Sequence, residues 1–112
     1  MTKKSPPKLS LTEAVIAHLL RAHSPDPLYG LEMVKLSSSS ELKLKKGTIY
    51  VTLERMEKKG LITSKMEKGP PVGIPKGSFY IPRRLYHLTQ DGEQALVALE
   101  LAVAKIPGFL KG

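Results

Sequence analysis

Lys45-Lys46-Gly47-Thr48-Ile49-Tyr50-Val51-Thr52-Leu53-Glu54-Arg55-Met56-Glu57-Lys58-Lys59-Gly60-Leu61-Ile62 reads as an amphipathic helix that stops at a glycine and hands the chain to a strand. With Ile49 at the centre and a turn of about 100° per residue, Leu53 and Met56 fall on the same side and form the anchor. The spacing predicts a helix over 46–59, closed by Gly60 in the left-handed conformation that glycine adopts without steric cost. The side away from the anchor carries Gly47, Val51, Glu54, Arg55 and Lys58. Thr48, Thr52 and Lys59 lie on one flank, Tyr50 and Glu57 on the other.

This helix sits inside a charged segment. Between residues 43 and 84 there are eleven lysines and arginines against three glutamates, which accounts for the whole formal net charge of +8. The rest of the chain is electrically balanced. A basic field confined to one helix and the segment after it suits a module that presses a helix into a nucleic-acid groove and neutralises the flanking phosphates.

Working outward, Ser10-Leu11-Thr12-Glu13 has capping-box spacing, so a first helix is expected to start there. Leu11, Val15, Ile16, Leu19 and Leu20 supply its apolar stripe, which ends before Ser24-Pro25. Asp26-Pro27 reads as the N-cap and first turn of a second helix, which ends at the serine run 37–40. Beyond Gly60, residues 61–67 and 84–88 read as two strands of a hairpin. The segment 68–82 between them is too rich in proline and glycine to be continuous strand. Thr89 caps a last helix with Asp91 in its first turn, running to about Lys105.

The order is helix, helix, helix, strand, strand, helix. It predicts a mostly α chain with a small β-hairpin, a winged helix-turn-helix with an added C-terminal dimerisation helix. The organisation expected is a basic N-terminal arm at 1–9, a winged helix-turn-helix DNA-binding domain at 10–89, the C-terminal dimerisation helix at 90–106 and a tail at 107–112. At 112 residues one core is all the chain can build. There is no cysteine, hence no disulfide, thiolate metal site or cysteine nucleophile. No signal-peptide core follows the basic start, and nothing approaches the roughly 20 apolar residues of a membrane span. A cytoplasmic protein that does not enter the membrane is expected.

The third helix offers specific chemistry. Lys45, Lys46, Gly47 and the Thr48 hydroxyl lie at its N-terminus, where free amides make a seat for phosphate. Tyr50 can extend its hydroxyl to a neighbouring phosphate, and Val51 can pack on a thymine methyl. Arg55 is the side chain suited to grip a guanine edge with two parallel hydrogen bonds. Thr52 on the flank, and Lys76, Arg83 and Arg84 in the hairpin, complete the expected contact set. Lys58 and Lys59 serve equally well to complement the negative end of the helix dipole.

At these residues the chain resembles the PadR family of bacterial transcriptional regulators. The resemblance rests on Leu28-Tyr29-Gly30-Leu31-Glu32-Met33, on Leu44-Lys45-Lys46-Gly47-Thr48-Ile49-Tyr50, on Leu53 to Ile62, and on Pro82-Arg83-Arg84-Leu85-Tyr86-His87-Leu88-Thr89 with Gly92. It spans about residues 11–95. It implies a dimeric winged-helix protein, in most members a repressor and in many released from DNA by a small phenolic or drug-like effector, with DNA contacts through Gly47, Thr48, Tyr50 and the wing arginines. Two departures stand out: Lys45-Lys46 where the family often has Ser-Pro, and Val51 where it often has Pro. The segment 68–82 is also longer than the family's usual wing.

From Gln94 to Ile106 apolar residues occupy most of the helix circumference, more than one domain face can cover. A second copy is the expected partner, meeting the helix through Leu96, Leu99, Val103 and Ile106 and the first helix through Leu11 and Val15. No enzyme activity is expected: the chain holds no nucleophile elbow, acid pair or phosphate loop. His18, His23 and His87 lack partners at metal-ligand spacing, so neither metal nor cofactor is implied. Four tyrosines, two phenylalanines and no tryptophan offer little to stack a flat effector, which stays unassigned. Two other readings stay open at this point, a winged-helix protein-interaction module and a non-specific architectural DNA binder.

Overall fold

The computed structural model describes residues 6–70, 72–75 and 77–109. Seven elements follow in chain order: α1 (Leu11–His23), β1 (Leu28–Tyr29), α2 (Gly30–Ser37), α3 (Lys46–Lys58), β2 (Ile62–Met66), β3 (Arg84–Leu88) and α4 (Gln90–Ala104). The strands form one antiparallel sheet in the order β1-β3-β2. Four helices with a small sheet make a winged helix-turn-helix.

The capping box forms as expected. The Glu13 amide donates to Ser10 Oγ at 3.2 Å while the Ser10 amide donates to Glu13 Oε1 at 2.8 Å, satisfying two amides that the first turn leaves without helical partners. Ile16, Ala17 and Leu20 on α1 then meet Met33 of α2 and Ile49, Leu53 and Met56 of α3, with Leu61, Ile62, Tyr86, Ala95 and Leu96 closing the same core.

The second helix starts later than Asp26-Pro27 suggested. Leu28 and Tyr29 are extended and pair with Tyr86 and Leu85, adding a third strand to the sheet. α2 begins at Gly30, and the Glu32 carboxylate accepts the Tyr29 amide at 3.2 Å. A pair of residues is too short to show a strand period, and only the free edge of β3 makes the pairing available. The serine run also divides. Ser37 is the last residue of α2 and is buried; its hydroxyl donates to the Val34 carbonyl at 3.1 Å and accepts the Leu44 amide at 2.8 Å. That pair of bonds ties the α2–α3 loop to the helix it leaves.

The end of α3 and the start of α4 are a single joint. Gly60 takes φ +77°, its amide donates to the Glu57 carbonyl at 3.0 Å, and the Leu61 amide reaches back to the Met56 carbonyl at 3.0 Å. This is the double bond of a Schellman ending. Thr89 caps α4 by accepting the Gly92 amide at 3.0 Å and donates its hydroxyl to the Gly60 carbonyl at 2.6 Å. A Cβ on Gly92 would stand 2.1 Å from the Leu61 carbonyl oxygen. Glycine is required there so that α4 can begin against the turn that closes α3. Among the described residues no helix is long and apolar enough to cross a membrane.

Candidate nucleic-acid interface

Ile49, Leu53 and Met56 anchor α3 in the core, and its outward stripe is Gly47, Tyr50, Val51, Glu54 and Lys58. Val51 leaves 61 % of its surface to solvent on that stripe. Lys45, Lys46 and Thr48 stand exposed at the N-terminus of the helix, and nothing lies within 4 Å of the position a Gly47 Cβ would take. An approaching backbone could come close here. Tyr50 leans on α2: a Cβ on Gly30 would meet its ring at 2.7 Å. Gly30 therefore leaves room for the hydroxyl end of the Tyr50 ring against the start of α2, with the residue as a whole still 47 % exposed.

Thr52 does not belong to this surface. It is 1 % exposed and its hydroxyl donates to the Thr48 carbonyl at 3.0 Å, so it fills the space beneath the helix and leaves no donor for a partner. Arg55 turns from the stripe toward α1, where Nε donates to Glu13 Oε2 at 3.4 Å, although half of the side chain stays exposed. Lys59 meets the same oxygen at 3.2 Å. Burial pushes the Glu13 pKa up, but the Ser10 amide and Lys59 outweigh it and hold the carboxyl below its ordinary value.

The two wing arginines separate by the alternation of a strand. Arg84 lies on the face shared with Tyr86 and donates to Ser64 Oγ at 3.1 Å; Ser64 in turn donates to Glu57 of α3 at 2.7 Å. Arg83 lies on the other face, and its guanidinium is consumed by Glu67, with Nε on Oε1 and Nη2 on Oε2, both at 3.0 Å. Two adjacent arginines cannot be told apart by residue type alone. Arg83, an expected groove contact, is thus paired within the wing, with its side chain 37 % exposed. Tyr29, Gly30, Tyr50, Ile81, Pro82, Arg83 and Arg84 together line a cleft of about 290 Å³, which brings the start of α2, the middle of α3 and the wing base into one place.

The segment's charge is thus unevenly available. Arg55, Lys58, Lys59 and Arg83 have carboxylate partners. Among the described residues Lys43, Lys45, Lys46, Lys65, Lys68 and Arg84 have none, and they flank α3 at its start and along the wing. Lys76, most of the N-terminal arm and the end of the tail lie outside the described residues.

The expected partner face of α4 also changes. Leu96 is 3 % exposed and belongs to the domain's own core, so it is corrected as an interface residue. Leu99 and Val103 are half-buried, as is Val15 on α1; Leu11 and Ile106 are exposed. The sequence reading passed over Val97 and Leu101, which stand 40 % and 60 % exposed and form the outward apolar edge of the helix. A helix apolar on most sides gives no phase from which to tell inner from outer leucines.

Comparison with known proteins places this geometry in a family. The model of the transcriptional regulator PadR-like family matches residues 18–98. A PadR family transcription regulator from Clostridium difficile is 27 % identical, with 85 % of this chain and 88 % of that chain covered and a TM-score of 0.66. A PadR-like transcriptional regulator from Bacillus cereus is 25 % identical, with 84 % and 82 % covered and a TM-score of 0.61. Bacillus subtilis PadR in complex with operator DNA shares the fold at 20 % identity and a TM-score of 0.67, with 82 % of this chain and 48 % of that chain covered. A search of curated proteins gave no match. Helix-turn-helix, wing and family match agree: the chain belongs to the PadR-like family and is a winged-helix transcriptional regulator, not an enzyme.

Proposed function

We propose that this regulator binds double-stranded DNA sequence-specifically, as a homodimer on a partly palindromic operator, and acts as a repressor in the cytoplasm. The carrying observation is the outward stripe Gly47, Tyr50, Val51 and Glu54, set between lysines without carboxylate partners at the start of α3 and Arg84 on the wing. Lys45, Lys46, Thr48 and the first-turn amides of α3 seat a phosphate, since an exposed helix start offers donors and positive potential together. Tyr50 and Arg84, which share one cleft, hold the backbone on the wing side. Base reading falls to Val51, whose methyls fit a thymine methyl, and to the exposed part of Arg55. The solved complex of Bacillus subtilis PadR with operator DNA, a protein of the same fold, supports a DNA-binding reading.

Dimerisation through Val97, Leu101 and Ile106, with Leu11 of α1, would cover apolar surface that a monomer leaves to water. It would set two recognition helices about 34 Å apart, one turn of DNA. A second reading, a winged-helix module that holds a protein, draws on Val72, Phe79 and Ile81, all exposed on the wing tip.

Selection of duplexes from a random pool, followed by binding curves on selected and scrambled duplexes, tests the proposal. Specific binding is expected to exceed non-specific by about a thousandfold or more. A ratio near one would make the protein an architectural binder, and no binding would leave the interaction module. Transcription from a promoter overlapping the selected site should fall on adding the protein; an increase would refute repression.

A further inference from the structure

Glu67 and Arg83 face each other one rung beyond the last strand pair, Met66 with Arg84. The Glu67 amide donates to the Arg83 carbonyl at 2.9 Å, and the Arg83 amide returns a bond to Glu67 Oε1 at 2.9 Å. The guanidinium grips both carboxylate oxygens. Tyr80, on the returning side of the wing tip, donates its hydroxyl to the same Oε1. The guanidinium also lies 4.1 Å from the centroid of the Tyr29 ring, at the start of α2. One carboxylate therefore fastens the outgoing strand, the incoming strand and the tip, and its arginine carries that assembly onto the helix-turn-helix.

An exposed ion pair adds little stability by itself. A planar fork that binds a carboxylate at two points and stacks on an aromatic ring fixes direction, which a lysine cannot do. Arg84 and Lys68 lie on either side of this knot, each without a carboxylate partner among the described residues. Their aim toward a duplex depends on how the hairpin base is held.

We propose that Glu67 and Arg83 are positioning residues for the wing: their fork, stacked on Tyr29, sets the angle at which Arg84 and Lys68 meet the DNA flanking the groove that α3 occupies. The proposal rests on the DNA-binding reading above. Arg83 acts through Glu67 and Tyr29 and touches no phosphate. The rival role, Arg83 as a direct contact, predicts the opposite sign, because removing the Glu67 charge would release a cation and tighten binding to any polyanion.

The test uses the full chain and two duplexes recovered by the unaltered protein from a random pool, one of about 30 base pairs and one trimmed to the segment protected by the recognition helices. Glu67→Gln should weaken binding to the long duplex by about tenfold, the loss of one charge-assisted contact, and leave the trimmed duplex within about twofold. Arg83→Lys should do the same, since it keeps the charge and loses the fork. Tighter binding by Glu67→Gln, near-full retention by Arg83→Lys, or equal losses on both duplexes would overturn the proposal. If either variant unfolds, Tyr29→Leu, which removes the stacking ring and keeps an apolar side chain on β1, must reproduce the loss on the long duplex alone or the proposal fails. Failure of the unaltered protein to bind either duplex would refute the DNA reading itself.

Discussion

Glu13 Oε2 receives Lys59 Nζ at 3.2 Å although Glu13 is 2 % exposed, so the carboxylate that caps α1 also holds the end of α3. Arg55 shares that oxygen. The first helix thereby holds the last turn of the recognition helix by charge, beside the apolar anchor of Ile49, Leu53 and Met56. A carboxylate buried without its cations would be costly, and here both remain part-exposed.

Glu13→Gln should therefore lower stability by about 1 to 2 kcal/mol, a figure kept small because both cations can turn to water. The midpoint of urea unfolding is the readout. An unchanged midpoint would mean that the pair contributes nothing and that apolar packing alone orients α3.

Gly92 and Gly30 make contrasting predictions. Alanine at 92 drives a methyl into the Leu61 carbonyl, backbone that cannot turn aside, and overpacking of this kind costs about 1 to 3 kcal/mol. Alanine at 30 meets only the Tyr50 ring, which can rotate away. Gly92→Ala should lower the melting temperature well below that of Gly30→Ala, while Gly30→Ala should move the Tyr50 ring resonances. Equal melting temperatures would refute the distinction.

For the exposed cations, Lys46→Ala should weaken binding to every duplex and reduce the slope of log affinity against log salt by about one. Val51→Ala should change the preference among selected duplexes and leave that slope alone. If Lys46→Ala altered sequence preference and kept the full slope, the phosphate seat at the start of α3 would be wrong.

On α4, Leu101→Glu should give a monomer in sedimentation at micromolar concentration with its helix content intact, since the side chain is exposed. Leu96→Ala should instead cost about 2 to 5 kcal/mol of stability through the cavity it leaves. A Leu101→Glu protein of unchanged sedimentation would remove this helix from the proposed interface.

Glu67 sets a pH dependence. Its hydrogen bonds from Arg83 and Tyr80 depress its pKa from 4.5 to about 2. Because the folded value is the lower one, the unfolded state binds more protons between the two, so the fork's contribution is complete above about 4.5 and disappears as pH falls through about 2. Carboxyl chemical shifts should place the Glu67 midpoint near the lower value, with the Tyr80 ring moving in step. A Glu67 titration near 4.5 would show an open fork in solution.

The fold was legible in the chain because its signals are local. Ser10 and Glu13 announce α1, the Ile49-Leu53-Met56 spacing phases α3, Gly60 ends it and Thr89 caps the last helix. These follow from backbone rules that act within a few residues. What only the tertiary structure decided is how each charge and each leucine is spent. Arg83 and Arg84 are chemically identical, yet one is gripped by Glu67, sixteen residues away across the hairpin, and the other is not. Leu28 and Tyr29 become a strand only because β3 offers an edge, Thr52 is buried with its hydroxyl on the Thr48 carbonyl, and Leu96 turns inward while Leu101 does not. Composition counts cations and apolar groups, but which of them find a partner depends on distances that close only when the chain has folded.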